Sequence, residues 1–340
     1  MIIKSSKTLR IANIDETSST LKPGVYLLKF DEMRHEYYFQ QKENFKLPKK
    51  IYGNYDVANR WLKSYENNSE KNMGIILSGL KGTGKTIDAQ KFCILSKKPV
   101  ILINEPFHGS DFIDFLTNPE VSESIVFIDE FEKIYETQDN DKTSDILSLF
   151  DGNYATKLIF LLTVNDMSIS EYLVNRLGRI KFRKHYTDLD VKIIDEVIED
   201  LLINKNHKES IHLLFEKLGM STFDILTNVI KEMNLFDEDA LEVAKHLNLK
   251  PHGRSYNVDE IINDMVYECY IQHSITPDER EIIIERRTTI IGEEHFPYQE
   301  VISMNDSKIE RINGISKFRI KTSTGKEFIF REVKENSLVI

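Results

Sequence analysis

The chain has 340 residues, 41% of them hydrophobic and 29% charged, the balance of a soluble globular protein large enough for two or three domains. Its 45 basic and 55 acidic residues leave a net charge of −10, which excludes a wholly basic nucleic-acid coat. Its two cysteines, Cys93 and Cys269, exclude a disulfide framework or a four-ligand zinc site and point to a reducing, cytoplasmic setting.

In chain order, Gly24–Phe30 and Glu36–Gln41 are rich in aromatic and aliphatic strand formers, and the polar stretch 31–35 between them suits a hairpin loop. Leu47-Pro48 closes this β-rich extension, expected over 1–47. An amphipathic helix is expected over Val57–Tyr65. Over 73–183 apolar runs alternate with helical patterns, the signature of a parallel α/β sheet. The runs are Ile75–Leu77, Val100–Ile103, Ile125–Ile128, Leu158–Thr163 and the shorter Ile180–Phe182. Over 187–287 the period turns helical, with Gly219 a helix end, Ser221-Thr222 possible N-caps, and 258–275 the longest helix expected. A β-rich module is expected over 288–340, with a hairpin of Lys317–Lys321 and Glu327–Arg331 around Thr322–Gly325. No apolar run reaches the roughly 20 residues of a membrane span, and no secretory signal opens the chain. The richness in Ile, Lys and Asn points to an AT-rich genome, bacterial or viral.

Gly79-Leu80-Lys81-Gly82-Thr83-Gly84-Lys85-Thr86 fits G-x-x-x-x-G-K-[ST], with a strand before it and a helix from Ile87 after it. Glycines there let backbone N–H groups wrap phosphate oxygens at a helix N-terminus. Lys85 reaches the β- and γ-phosphates in such a loop, and the Thr86 hydroxyl ligates Mg²⁺. The strand Ile125–Ile128 ends in Asp129 and Glu130. Asp129 is a candidate for Mg²⁺, and Glu130 a candidate to orient or deprotonate an attacking water. Asn165 ends the next buried run, where an amide can bond that water or the γ-phosphate; the bland alternative is a turn asparagine. Downstream, Arg176-Leu177-Gly178-Arg179 places two arginines three apart, the residue type that stabilises a transferring phosphoryl group.

In this order and at this spacing, these motifs resemble the AAA branch of the AAA+ ATPases over about 48–255, close to small bacterial and phage AAA proteins and to the mitochondrial Rieske-protein translocase group. The resemblance implies an α/β P-loop NTPase core over 48–186, a helical lid over 187–287, ATP and Mg²⁺ as ligands, and a ring of identical subunits, usually six. It implies that Arg176 and Arg179 act on a neighbour's ATP, that Ile51-Tyr52-Gly53 lies against adenine, and that Arg254 is a sensor-2 candidate. Leu177 departs from the family's usual proline. Phe115, or alternatively Phe107 with His108 and Gly109, would be the pore aromatic that grips a threaded client; core packing is the competing reading. The resemblance does not extend to residues 1–45 and 288–340.

A protein client is therefore expected, and no membrane. The C-terminal cations Arg311, Lys317, Arg319, Lys321, Lys326, Arg331 and Lys334, interleaved with Phe318, Phe328 and Phe330, allow a nucleic-acid motor as an alternative. A hairpin with one charged face explains them more simply, and a nucleotide-controlled assembly switch is the third reading.

Overall fold

The computed structural model describes residues 2–5, 8–11, 20–53, 57–67, 72–135, 146, 149, 156–165, 180–250, 256–262, 265–270, 281–290, 293–303, 307–313 and 317–333. They fall into two compact units, Met1–Leu189 and Asp190–Ile340.

In the first unit nine strands form one mixed sheet. They are β1 (Ile2–Ser5), β2 (Thr8–Ile11), β3 (Gly24–Asp31), β4 (Glu36–Lys42), β5 (Met73–Gly79), β6 (Pro99–Leu102), β7 (Ile125–Ile128), β8 (Ile159–Val164) and β9 (Ile180–Tyr186). Their spatial order is β1-β2-β4-β3-β6-β7-β8-β5-β9. Pairing is parallel from β3 through to β9 and antiparallel within the N-terminal strands. β5 and β8 are buried along their whole length, as strands covered on both faces must be. Side chains alternate between two cores: Ile75 and Leu77 enter one with Phe127 and Leu161, and Ile76 enters the other with Val126 and Phe160. Helices α1 (Val57–Glu66) and α2 (Lys85–Ser96) cover the first core through Trp61 and Phe92. Helices α3 (Ser110–Thr117) and α4 (Phe131–Ile134) cover the second through Phe112, Leu116 and Phe131.

The N-terminal β structure expected over 1–47 is present, but it is continuous with the core sheet. β3 pairs parallel with β6, Val25 opposite Val100, and Leu28 and Phe39 share the core of Ile101 and Phe160. The hairpin thereby covers the edge that β6 would otherwise leave open.

The second unit begins with four helices, α5 (Val191–Leu201), α6 (Lys208–Leu218), α7 (Phe223–Phe236) and α8 (Ala240–His246). Their buried residues recur at helical spacing, as Leu226, Val229, Ile230 and Met233 do in α7. Gly219 ends α6 at φ 70°, and the Thr222 hydroxyl caps α7 by accepting from the N–H of Ile225 at 3.3 Å.

Where a long helix is expected over 258–275, the described residues 258–262 and 265–270 are strands instead. β10 (Tyr256–Ile262) and β11 (Met265–Tyr270) pair antiparallel, Val258 opposite Cys269. The helical region therefore stops at His246, well before 287, and strands begin at Tyr256. Apolar residues in this stretch satisfy either period; its β-branched and aromatic content and the pairing of β10 with the C-terminal strand decide for sheet. With β12 (Glu281–Ile290), β13 (Glu293–Ser303), β14 (Lys308–Asn313), β15 (Lys317–Lys321) and β16 (Glu327–Glu332), they form an antiparallel sheet ordered β13-β12-β11-β10-β16-β15-β14. Val258, Ile284, Ile320, Phe328 and Phe330 fill its core. No helix among the described residues is long and apolar enough to cross a membrane.

Candidate nucleotide site

The parallel strands set the site. β5 stands between β8 and β9, and β7 follows β8, so the ends of β5, β7 and β8 open on one edge of the sheet. In open α/β sheets ligands bind beyond that carboxyl edge.

The loop after β5 needs its glycines. Gly79, Gly82 and Gly84 have φ of 127°, 76° and 101°, in the region other residues avoid. A Cβ on Gly79 would also stand 2.0 Å from the carbonyl oxygen of Tyr186 on β9. The loop closes on itself: Thr83 Oγ1 donates to Leu80 O at 2.7 Å, and Lys85 Nζ donates to Gly79 O at 2.6 Å and Leu80 O at 2.7 Å. Lys85 is buried. Burial pushes its pKa down, while Glu132, Asp129 and Glu130 pull it back up. An ammonium held by carbonyls at the mouth of a glycine loop is placed to take phosphate oxygens instead.

Thr86, in the first turn of α2, donates from Oγ1 to Asp129 Oδ1 at 3.3 Å. An alcohol and a carboxylate oxygen side by side are hard donors that suit Mg²⁺. Among the described residues no three His, Cys, Asp or Glu side chains gather into a metal site.

Thr163, which the sequence reading did not single out, organises the acidic pair. Its Oγ1 donates to Asp129 Oδ1 at 2.6 Å and accepts the backbone N–H of Glu130 at 2.8 Å. Glu130 has φ 53° and ψ 58°, a left-handed conformation that costs a non-glycine residue about 1–2 kcal/mol. The Thr163 bond and the bond from Lys133 N to Glu130 O at 2.8 Å hold it there. The turn aims the Glu130 carboxylate at Asn165, whose Nδ2 donates to Glu130 Oε1 at 3.2 Å and to Glu132 Oε1 at 2.7 Å. Lys133 donates to Glu130 Oε2 at 2.5 Å. That bond, foremost, holds the Glu130 carboxyl below its usual range, with smaller help from Asn165 and Lys81 and against partial burial.

The structure thus brings together Lys85, Thr86, Asp129, Glu130 and Asn165. Gly53 has φ 65°, and Lys50 stands 4.9 Å over the Tyr52 ring. Ile87 continues α2, where Asp88 binds Lys184 Nζ at 2.6 Å and Tyr186 OH at 2.5 Å. Arg176, Arg179 and Arg254 lie outside the described residues.

Both pore-aromatic candidates pack against the core. Phe107 is buried, and Phe115, half-buried, has its ring 5.1 Å from Phe39 and 5.4 Å from Tyr37 of the N-terminal hairpin. Core packing is thus the reading the structure carries, because the β3–β4 hairpin gives this helix an apolar partner. In the C-terminal module Arg319 pairs with Glu327, Lys326 with Glu300 and Arg331 with Asp259. These pairs neutralise cations that a nucleic-acid surface would need free.

No curated protein matches the chain. Residues 75–186 match the model of the ATPase family associated with various cellular activities (AAA), a span from within β5 to the end of β9 that holds Lys85, Thr86, Asp129, Glu130, Thr163 and Asn165. The chain therefore carries an AAA domain of the AAA+ ATPase superfamily, built on an α/β P-loop NTPase fold.

Proposed function

We propose that this protein binds Mg²⁺-ATP at 79–86 and hydrolyses it, in a homo-oligomeric ring that rearranges a protein client. The observation that carries the catalytic reading is the meeting of Glu130 and Asn165 at 3.2 Å on the edge where Lys85 and the Thr86–Asp129 pair also open. Lys85 would exchange its two loop carbonyls for phosphate oxygens. Thr86 and Asp129 would hold Mg²⁺, which supplies neutralisation of charge on the β- and γ-phosphates. Glu130, a carboxylate whose charged form Lys133 further favours, would orient or deprotonate water, and Asn165 would fix that water or the γ-phosphate. Arg176 and Arg179 are proposed as fingers on the neighbour's ATP, by the order of motifs that the resemblance rests on.

The packing of buried Phe107 and half-buried Phe115 against the core favours one second reading: a nucleotide-controlled assembly switch, in which ATP sets the ring and hydrolysis resets it without threading a client.

Glu130→Gln tests both. It should bind a fluorescent ATP analogue near normally and lose roughly 10²–10⁴-fold in hydrolysis. Hydrolysis at the wild-type rate would refute the role of Glu130. Purified with ATP, with and without nuclease, a nuclease-resistant stoichiometric protein supports remodelling. An empty ring supports the switch, and nuclease-sensitive nucleic acid overturns both in favour of a nucleic-acid motor.

A further inference from the structure

Glu132 lies one residue beyond the first position of α4 and has no place in the scheme above. Its Oε1 accepts twice from a single residue: from the backbone N–H of Asn165 at 3.1 Å and from Asn165 Nδ2 at 2.7 Å. These two bonds close a ring through the Asn165 side chain, so they fix its torsions together with the end of β8. The second Nδ2 hydrogen goes to Glu130 Oε1 at 3.2 Å. Both amide hydrogens therefore meet carboxylates. Turning the amide over would set its Oδ1 against two anions, so one orientation is strongly favoured.

We infer that Glu132 is a positioning residue, acting through Asn165 to hold the amide beside Glu130. The inference rests on the hydrolytic reading of the site, and it extends that reading to the question of what aims the Asn165 amide. One further observation agrees with it. The other Glu132 oxygen, Oε2, is buried with no hydrogen-bond partner among the described residues, so its grip on Asn165 is exerted by Oε1 alone. A neutral glutamine can supply that same acceptor, whereas alanine removes it and aspartate is one methylene too short to span the gap.

The test is the series Glu132→Ala, Glu132→Asp and Glu132→Gln, with Asn165→Ala and the Glu132→Ala/Asn165→Ala double variant. In the nucleotide-free protein the side-chain amide signals of Asn165, read by nitrogen-15 NMR, should shift in the Ala and Asp variants and return toward wild type in Gln. In steady state Glu132→Ala should lower kcat roughly 10–100-fold, the worth of losing charged hydrogen bonds, with KM for ATP much less changed. Glu132→Gln should recover most of that rate. The double variant should be no slower than Asn165→Ala, because two residues acting as a unit are not additive. An unmoved Asn165 amide in Glu132→Ala, or a further tenfold loss in the double variant, would overturn the inference. A wild-type protein with no hydrolysis would sink the functional reading instead, and the amide signals would still decide whether Glu132 orients Asn165.

Discussion

Thr163 is the residue whose removal should reveal most about how this site is held. The residue is 1% exposed, and its hydroxyl bridges the two acidic residues, donating at 2.6 Å to Asp129 and accepting at 2.8 Å from the Glu130 N–H. Thr163→Val keeps the shape and deletes the bridge. Asp129 is exposed, so water can replace the bond it loses. The Glu130 N–H has no such relief, because it points at a buried side chain; an unsatisfied donor there costs about 1–3 kcal/mol. The left-handed turn at Glu130 then loses one of its two restraints and can relax, which recovers part of the 1–2 kcal/mol of backbone cost while moving the carboxylate away from Asn165. The net expectation for Thr163→Val is a stability loss of about 2 kcal/mol in urea unfolding and a fall in hydrolysis of at least about tenfold, with nucleotide affinity less affected. Thr163→Ser retains both bonds and removes a methyl, so it should cost about 1 kcal/mol and leave hydrolysis near wild type. If the valine variant matched the serine variant in both measurements, the bridge would have no role in holding the acidic pair.

Two further outcomes follow from the same geometry. Lys133→Ala should raise the Glu130 pKa toward its ordinary value near 4.5, measured by carbon-13 NMR titration of the carboxyl; the shift is downward in the wild type, so the pair's contribution is present above that pH and lost as pH falls through the lowered value. An unchanged midpoint would mean that Lys133 does not hold Glu130 in solution. Phe115→Ala should destabilise the first unit by about 2–3 kcal/mol, since its ring packs on Phe39 and Tyr37, and should leave ATP hydrolysis per folded molecule intact. Unchanged thermal stability, with client handling lost, would restore Phe115 as a gripping residue.

The residues that touch phosphate and metal in this reading were legible in the chain, because their chemistry constrains local sequence. A loop that wraps phosphate requires glycines at fixed spacing, and Gly79, Gly82 and Gly84 take the backbone conformations that no other residue reaches cheaply. Asp129, Glu130 and Asn165 could be placed because buried strands end where apolar runs end. Thr163 and Glu132 were not legible, and the reason is the same for both. Each acts across strands, on atoms about 33 residues away, and nothing in Leu161–Val164 or Phe131–Lys133 records that neighbour.

The larger divisions behave alike. Composition and period established an α/β core, an amphipathic helical segment after it and a strand-rich end. They could not say that the N-terminal hairpin completes the core sheet, because Val25 and Val100 become partners only when β6 offers its edge. They also favoured a helix over 258–275, where the described residues are strands. Apolar residues there fit both periods, and the choice falls to β16, where Phe330 lies opposite Val258 and Phe328 opposite Glu260. Local chemistry wrote the phosphate loop and its acids into the sequence; pairing between distant strands, whose energy depends on neighbours the local sequence does not name, decided where the sheet edges fall and what holds Glu130 and Asn165 together.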